Sequence, residues 1–214
     1  MIQRLFPLLL ALALAACALP ASAADDLVEG RNYVRIADGK PLVAEPGRIE
    51  VVEVFAYWCH HCNNFAPLVA AWKRKQPDDV AFRHLPAAFT LDDRYARAYF
   101  ASESLGTLAR THAATFRAIH AEHALPPRGA SLQELATLYA QHGVEPEGFV
   151  AAMRSPATDA RMEASRAFIV AAEVQGTPTI IVNGRYRVIG KTFGDMLRTT
   201  DLLVARERAA ASVQ

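Results

Sequence analysis

The residues of this chain best suited to chemistry are Cys59-His60-His61-Cys62. A thiolate is the nucleophilic form of cysteine, and two thiols at this spacing can close a small disulfide ring across one helical turn. That is redox chemistry by thiol–disulfide exchange. Metal binding is the other use of such a pair. Zinc takes four ligands, typically from two paired motifs. Here there is one C-x-x-C, and His60 and His61 lie inside its loop, where they cannot easily converge with both sulfurs. Haem attachment needs Cys-x-x-Cys-His, but Asn63 follows Cys62. No metal and no cofactor is expected.

Activation of a cysteine depends on what positions it. Ile49 to Tyr57 is β-branched and aromatic, as strand interiors are. After the pair, Phe65, Leu68, Val69 and Trp72 recur at helical spacing. Cys59 therefore falls at a helix N-terminus, where unpaired N–H groups and the macrodipole favour a thiolate. Cys59 is expected to be the exposed nucleophile, and Cys62, one turn further in, the buried resolving cysteine.

The compartment suits a disulfide. Residues 1–23 read as an export signal: Arg4 supplies the charge, Leu5 to Ala16 the apolar core, and Ala21-Ser22-Ala23 the cleavage site. Leu14-Ala15-Ala16-Cys17 also resembles a bacterial lipobox, which would end the signal at residue 16 and acylate Cys17. Either route places the domain outside the cytoplasm, where disulfides persist. Cleavage after Ala23 leaves 191 residues with 22 basic and 22 acidic side chains. That balance argues against a nucleic-acid or anionic-membrane surface. It also leaves Cys59 and Cys62 as the only cysteines, a poor pattern for a structural staple.

The elements follow from patterning. Tyr33 to Ile36 reads as a short strand, and Val80 to Leu85 as another. From residue 90 to 170 the chain turns helical, with start boxes at Thr90-x-x-Asp93 and Ser131-x-x-Glu134 and stops at Gly106 and Gly143. Apolar stripes include Leu91, Tyr95, Ala98 and Tyr99, then Leu108, His112, Thr115, Phe116 and Ile119. Strands return at Thr179–Val182 and Arg185–Ile189, flanking the hairpin signal Asn183-Gly184. A last helix starts near Thr192-x-x-Asp195. The expected class is α/β, with residues 24–89 and 171–214 forming one domain around an all-helical insertion at 90–170.

These parts together resemble the DsbA family of periplasmic thiol:disulfide oxidoreductases: the Glu53-to-Trp58 strand, the Cys59–Cys62 motif, the helical insertion, and Gly176-Thr177-Pro178-Thr179 before Asn183-Gly184. The resemblance spans essentially the whole mature chain and implies a thioredoxin-like fold with an inserted helical domain. It implies a cis Pro178 beside Cys59, and a Thr177 backbone able to pair with an extended substrate. It also implies exported proteins with free thiols as substrates, a quinone-linked membrane reoxidase (DsbB-like) as partner, and a monomer.

Three further readings attach to single residues. His60 and His61 can supply charge or a hydrogen bond to a Cys59 thiolate. Many family oxidases carry Pro-His between the cysteines, so His60 departs from the pattern. Glu53 sits in an otherwise apolar strand, where an ionised carboxylate is costly unless paired; the family's glutamate at this position is thought to relay protons. Thr177 before Pro178 is more usual in isomerase and reductase relatives, so those activities remain alternatives to a dithiol oxidase. A peptide-binding assembly factor with an idle Cys59–Cys62 pair is a further alternative.

Overall fold

The protein is described by a computed structural model covering residues 27–212; the export-signal and Cys17 readings lie outside the described residues. Five strands form one mixed sheet: β1 (Tyr33–Arg35), β2 (Ile49–Phe55), β3 (Val80–Pro86), β4 (Thr179–Val182) and β5 (Tyr186–Val188), in the order β1-β5-β4-β2-β3. β2 and β3 run parallel, joined through helix α1 (His60–Lys73); the other neighbours are antiparallel. All seven residues of β2 are buried, as suits a strand flanked by β3 and β4 and covered on both faces.

Between β3 and β4 lie five helices: α2 (Arg94–Ser104), α3 (Leu108–His120), α4 (Leu132–Ala140), α5 (Pro146–Met153) and α6 (Pro156–Ala171). Helix α7 (Phe193–Ala211) closes the chain. The apolar side chains form two cores. One joins Val52, Val54 and Phe55 to the helical block; the other packs Phe65, Val69 and Trp72 of α1 and Leu203 and Val204 of α7 against Val51, Ile180 and Val182. The Cys59–Cys62 segment belongs to the first core, at the end of β2.

Most helix starts fall where side-chain chemistry places them. Ser131 and Glu134 make a reciprocal capping box, and Thr192 accepts from the Asp195 amide at 3.0 Å. The start of α2 differs from the sequence expectation. Its cap is Asp93, whose carboxylate accepts from the amides of Tyr95 and Ala96, so the helix begins three residues later than a box opening at Thr90 would place it. Leu91 therefore lies outside the helix and is 40% exposed; Leu68 of α1 is 44% exposed despite its place in the apolar stripe. The hairpin turn uses residues 183–185, so β5 begins at Tyr186 rather than at Arg185. Asn183 and Gly184 both take positive φ there, and a Cβ on Gly184 would run into the Lys40 carbonyl.

Candidate active site

Cys59 is the N-cap of α1, with extended backbone (φ −82°, ψ 114°), and its sulfur accepts from the Cys62 amide at 3.4 Å. A sulfur thus stands where Ser or Asp usually caps a helix, facing the unpaired N–H groups of the first turn. Both cysteines are free thiols. The expectation of an exposed Cys59 needs correction, because only 8% of the residue is accessible; Cys62 is wholly buried. The difference still runs in the expected direction.

The covering partner comes from the far end of the sequence. The Thr177–Pro178 peptide bond is cis, and the Thr177 carbonyl accepts from the Cys59 thiol at 3.2 Å. Cys59 is pulled down from the ordinary thiol value to about 5. The largest cause is the hydrogen bond from the Cys62 thiol; partial burial opposes it, and the Thr177 hydroxyl with the amides of Cys62 and His61 adds to it. Cys62 moves the opposite way, pushed well up by burial and then by the neighbouring Cys59. The pair is thus split into one thiolate and one retained proton.

The two intervening histidines are exposed, and His60 is engaged by its own helix: Nε2 lies 3.0 Å from the Asn64 side-chain amide. The His61 contribution to the thiolate comes from its backbone amide. Glu53 is only 2% exposed, so it is not a strand-edge residue reaching water. It lies opposite His84 in the β2–β3 register, and the His84 Nδ1 is 2.9 Å from its carboxylate. Among the described residues no hydrogen bond joins Glu53 to either sulfur.

His84 on β3 is far in sequence from His112 and His120 on α3, yet the fold gathers all three behind the active-site turn. The His84 and His112 rings lie 4.6 Å apart, and His112 Nδ1 is 2.9 Å from the Tyr57 hydroxyl. Burial holds His112 well below the usual histidine value, with the charges of His84 and Lys73 adding to the effect. The spacing of His112, Phe116 and His120, four residues apart on α3, was the available signal.

Trp58, next to Cys59, was also missed. Its indole donates to the Asp93 cap at 3.0 Å, and the Arg128 guanidinium stacks over its ring at 4.4 Å. These residues line a cavity of about 360 Å³ on the helical-block side of the site. A second hollow, of about 340 Å³, is lined by His61, Gly190, Lys191, Thr192, Phe193 and Met196.

A buried parallel–antiparallel sheet, a capping cysteine paired with Cys62, and a cis-proline loop against its sulfur define a thioredoxin-like redox site. The family described as thioredoxin matches residues 46–201. The chain is 40% identical over 195 residues to the thiol:disulfide interchange protein DsbA of Pseudomonas aeruginosa, covering 89% of this chain and 90% of that protein. It is 37% identical over 189 residues to the Azotobacter vinelandii protein of the same name, with 86% of each covered. The crystal structure of the oxidoreductase DsbA from Xylella fastidiosa superposes with a TM-score of 0.83 at 46% identity, covering 85% of this chain and 98% of that one. The P. aeruginosa DsbA crystal structure gives 0.80 at 38% identity, covering 88% and 98%. The chain belongs to the DsbA family of thiol:disulfide oxidoreductases.

Proposed function

We propose that this protein is a dithiol oxidase of exported proteins, working through the Cys59–Cys62 disulfide. The observation that carries the reading is the cap geometry: the Cys59 sulfur lies 3.4 Å from the Cys62 amide and 3.2 Å from the Thr177 carbonyl, beside the cis Pro178, and Cys59 falls to about 5 while Cys62 is pushed up. A substrate thiolate attacks the Cys59 sulfur of the disulfide, forming a mixed disulfide and expelling Cys62, which takes up a proton. A second substrate thiolate attacks the substrate sulfur of that mixed disulfide and expels Cys59 as its stabilised thiolate. The substrate has then lost two electrons to the pair. A low leaving-group pKa speeds that last step and stabilises the reduced protein, which makes the disulfide oxidising.

The remaining roles follow from placement. The Thr177 backbone, in the loop just before β4 and beside Cys59, aligns an extended substrate segment, with Pro178 shaping the loop. Glu53, paired with His84, offers a buried proton acceptor near the end of β2. His60 and His61 add a modest field at the mouth of the site. Residues 1–23, or 1–16 with acylation of Cys17, direct the protein to the periplasm, where a quinone-linked DsbB-like membrane protein would reoxidise it. No helix among the described residues is long and apolar enough to cross a membrane. The helical insertion at 90–170 interrupts a thioredoxin-like frame of residues 24–89 and 171–214 and shares a core with β2.

The redox equilibrium with glutathione tests the reading. An oxidase should sit well above thioredoxin's potential of about −270 mV. A value near thioredoxin's would replace it with a reductase, and rapid scrambled-substrate repair without net oxidation would replace it with an isomerase.

A further inference from the structure

Helix α3 grips a single residue at two points. His112 Nδ1 meets the Tyr57 hydroxyl at 2.9 Å, and His120 Nε2 lies 2.7 Å from the Tyr57 backbone carbonyl. Phe116, between the two histidines on the same helix, packs its ring against the Tyr57 ring with centroids 5.0 Å apart. Tyr57 itself is 1% exposed. Two residues later comes Cys59, whose amide closes the turn by donating to the Ala56 carbonyl at 3.1 Å. The turn around the Tyr57–Trp58 peptide is therefore closed from within by the Cys59–Ala56 bond, and that peptide is held from outside by a side chain of the helical block.

We propose that His120 is a positioning residue for disulfide exchange: its Nε2–H, donated to the Tyr57 carbonyl, fixes the turn that aims the Cys59 sulfur at the first-turn amides of α1 and at Thr177. The inference rests on the reading of Cys59 as the leaving thiolate. Its physical basis is the length of the contacts to be kept. The Cys62 amide is 3.4 Å from the sulfur, an ordinary length for an N–H···S bond, and hydrogen bonds weaken steeply as distance and angle worsen. A turn free to rock would lose them first. His120 is half-buried, with the His60 ring at 6.1 Å and Phe116 at 6.2 Å between centroids, so it faces a second, titratable imidazole, one apolar ring and one carbonyl. No acidic side chain hydrogen-bonds to it among the described residues, which leaves the Tyr57 carbonyl as its polar partner.

The test uses the full mature protein and three variants. His120→Met keeps bulk and removes the donor; His120→Ala removes both and serves where methionine disturbs packing. His120→Gln restores an N–H of similar reach. Thiolate absorbance against pH and the glutathione equilibrium are read on the same samples, with the melting temperature of each oxidised form as the check on folding. Loss of the donor should raise the Cys59 midpoint by about half a unit, and shift the glutathione equilibrium about threefold toward the disulfide. The glutamine variant should return most of both changes. A folded donor-less variant with the parent's midpoint and equilibrium would overturn the proposal, as would a glutamine variant shifted as far as the methionine one. The parent's own midpoint tests the reading of the site separately, because an ordinary thiol value there would sink that reading whatever His120 does.

Discussion

Thr177 and Cys59 lie 118 positions apart in sequence and meet at 3.2 Å, the carbonyl oxygen of one against the sulfur of the other. The contact joins the loop before β4 to the cap of α1, so the active site exists only when the two ends of the fold have come together across the helical insertion. It also gives Thr177 two opposed influences. Its carbonyl accepts from the thiol, while its hydroxyl supports the thiolate.

Replacing Thr177 with Val should remove the second influence and leave the first. The Cys59 midpoint should rise by about one to two units, the range expected when one hydrogen bond to a charged acceptor is lost. Thiolate absorbance of the reduced variant measures it; an unshifted midpoint would show that the hydroxyl does not reach the sulfur.

The two cysteines should behave differently on substitution. Cys59→Ser should abolish oxidation of a model dithiol peptide. Cys62→Ser should instead accumulate mixed disulfides when its Cys59 thiolate attacks the disulfide of an oxidised peptide, since no second sulfur remains to displace the bound peptide thiol. Non-reducing electrophoresis with mass spectrometry distinguishes them, and trapped complexes on the Cys59→Ser variant would reverse the roles.

Stability of the reduced protein should depend on pH through Cys59. Its folded value, about 5, lies below the unfolded value of 9.0. The stabilisation is therefore fully present above about pH 9 and is lost as pH falls through about 5. The full shift corresponds to about 5 kcal/mol, and solvent screening at this partly open sulfur reduces that to a few. Urea titrations of reduced and oxidised protein between pH 4 and 9 should show the two forms converging toward low pH. Parallel curves would contradict the assignment.

The histidine pair offers a comparison of side chain with backbone. His60 is occupied with Asn64, and His61 acts through its amide. Replacing both with Ala should move the Cys59 midpoint by less than about one unit, since exposed charges are screened. A larger shift would show that the rings, rather than the helix N-terminus, carry the activation.

Gly184 should tolerate no side chain. Alanine there needs a positive φ and overlaps the Lys40 carbonyl, and the two effects together should cost about 2–4 kcal/mol. Thermal unfolding of Gly184→Ala measures this; a loss under half a kcal/mol would mean the 39–41 segment moves away freely.

Much of this was legible because it is local. The Cys59–Cys62 spacing, the capping box at Ser131, the start at Thr192 and the turn at Asn183-Gly184 are each set by residues within a few positions of one another. The features that escaped are set by register and packing. Glu53 reads as an unpartnered acid in a largely apolar strand until parallel pairing puts His84 opposite it. Asp93 lost to Thr90 as the predicted start of α2, yet the Trp58 indole binds Asp93 from a different element. His120 and Tyr57 are 63 positions apart, and nothing in either neighbourhood announces the other. The depth of Cys59 belongs with these, because what buries it is a loop from the chain's other end.

One consequence of a sulfur acting as helix cap concerns local motion. The Cys62 amide is held by Cys59 Sγ, and a thiolate is a far stronger acceptor than a disulfide sulfur. Each turnover therefore tightens and slackens the opening turn of α1. Backbone amides at His61 and Cys62 should exchange with deuterium more slowly in the reduced protein than in the oxidised one, while amides near Trp72, about three turns further along, exchange at the same rate in both. Electron transfer at this site would then carry its own record in hydrogen exchange, confined to one turn.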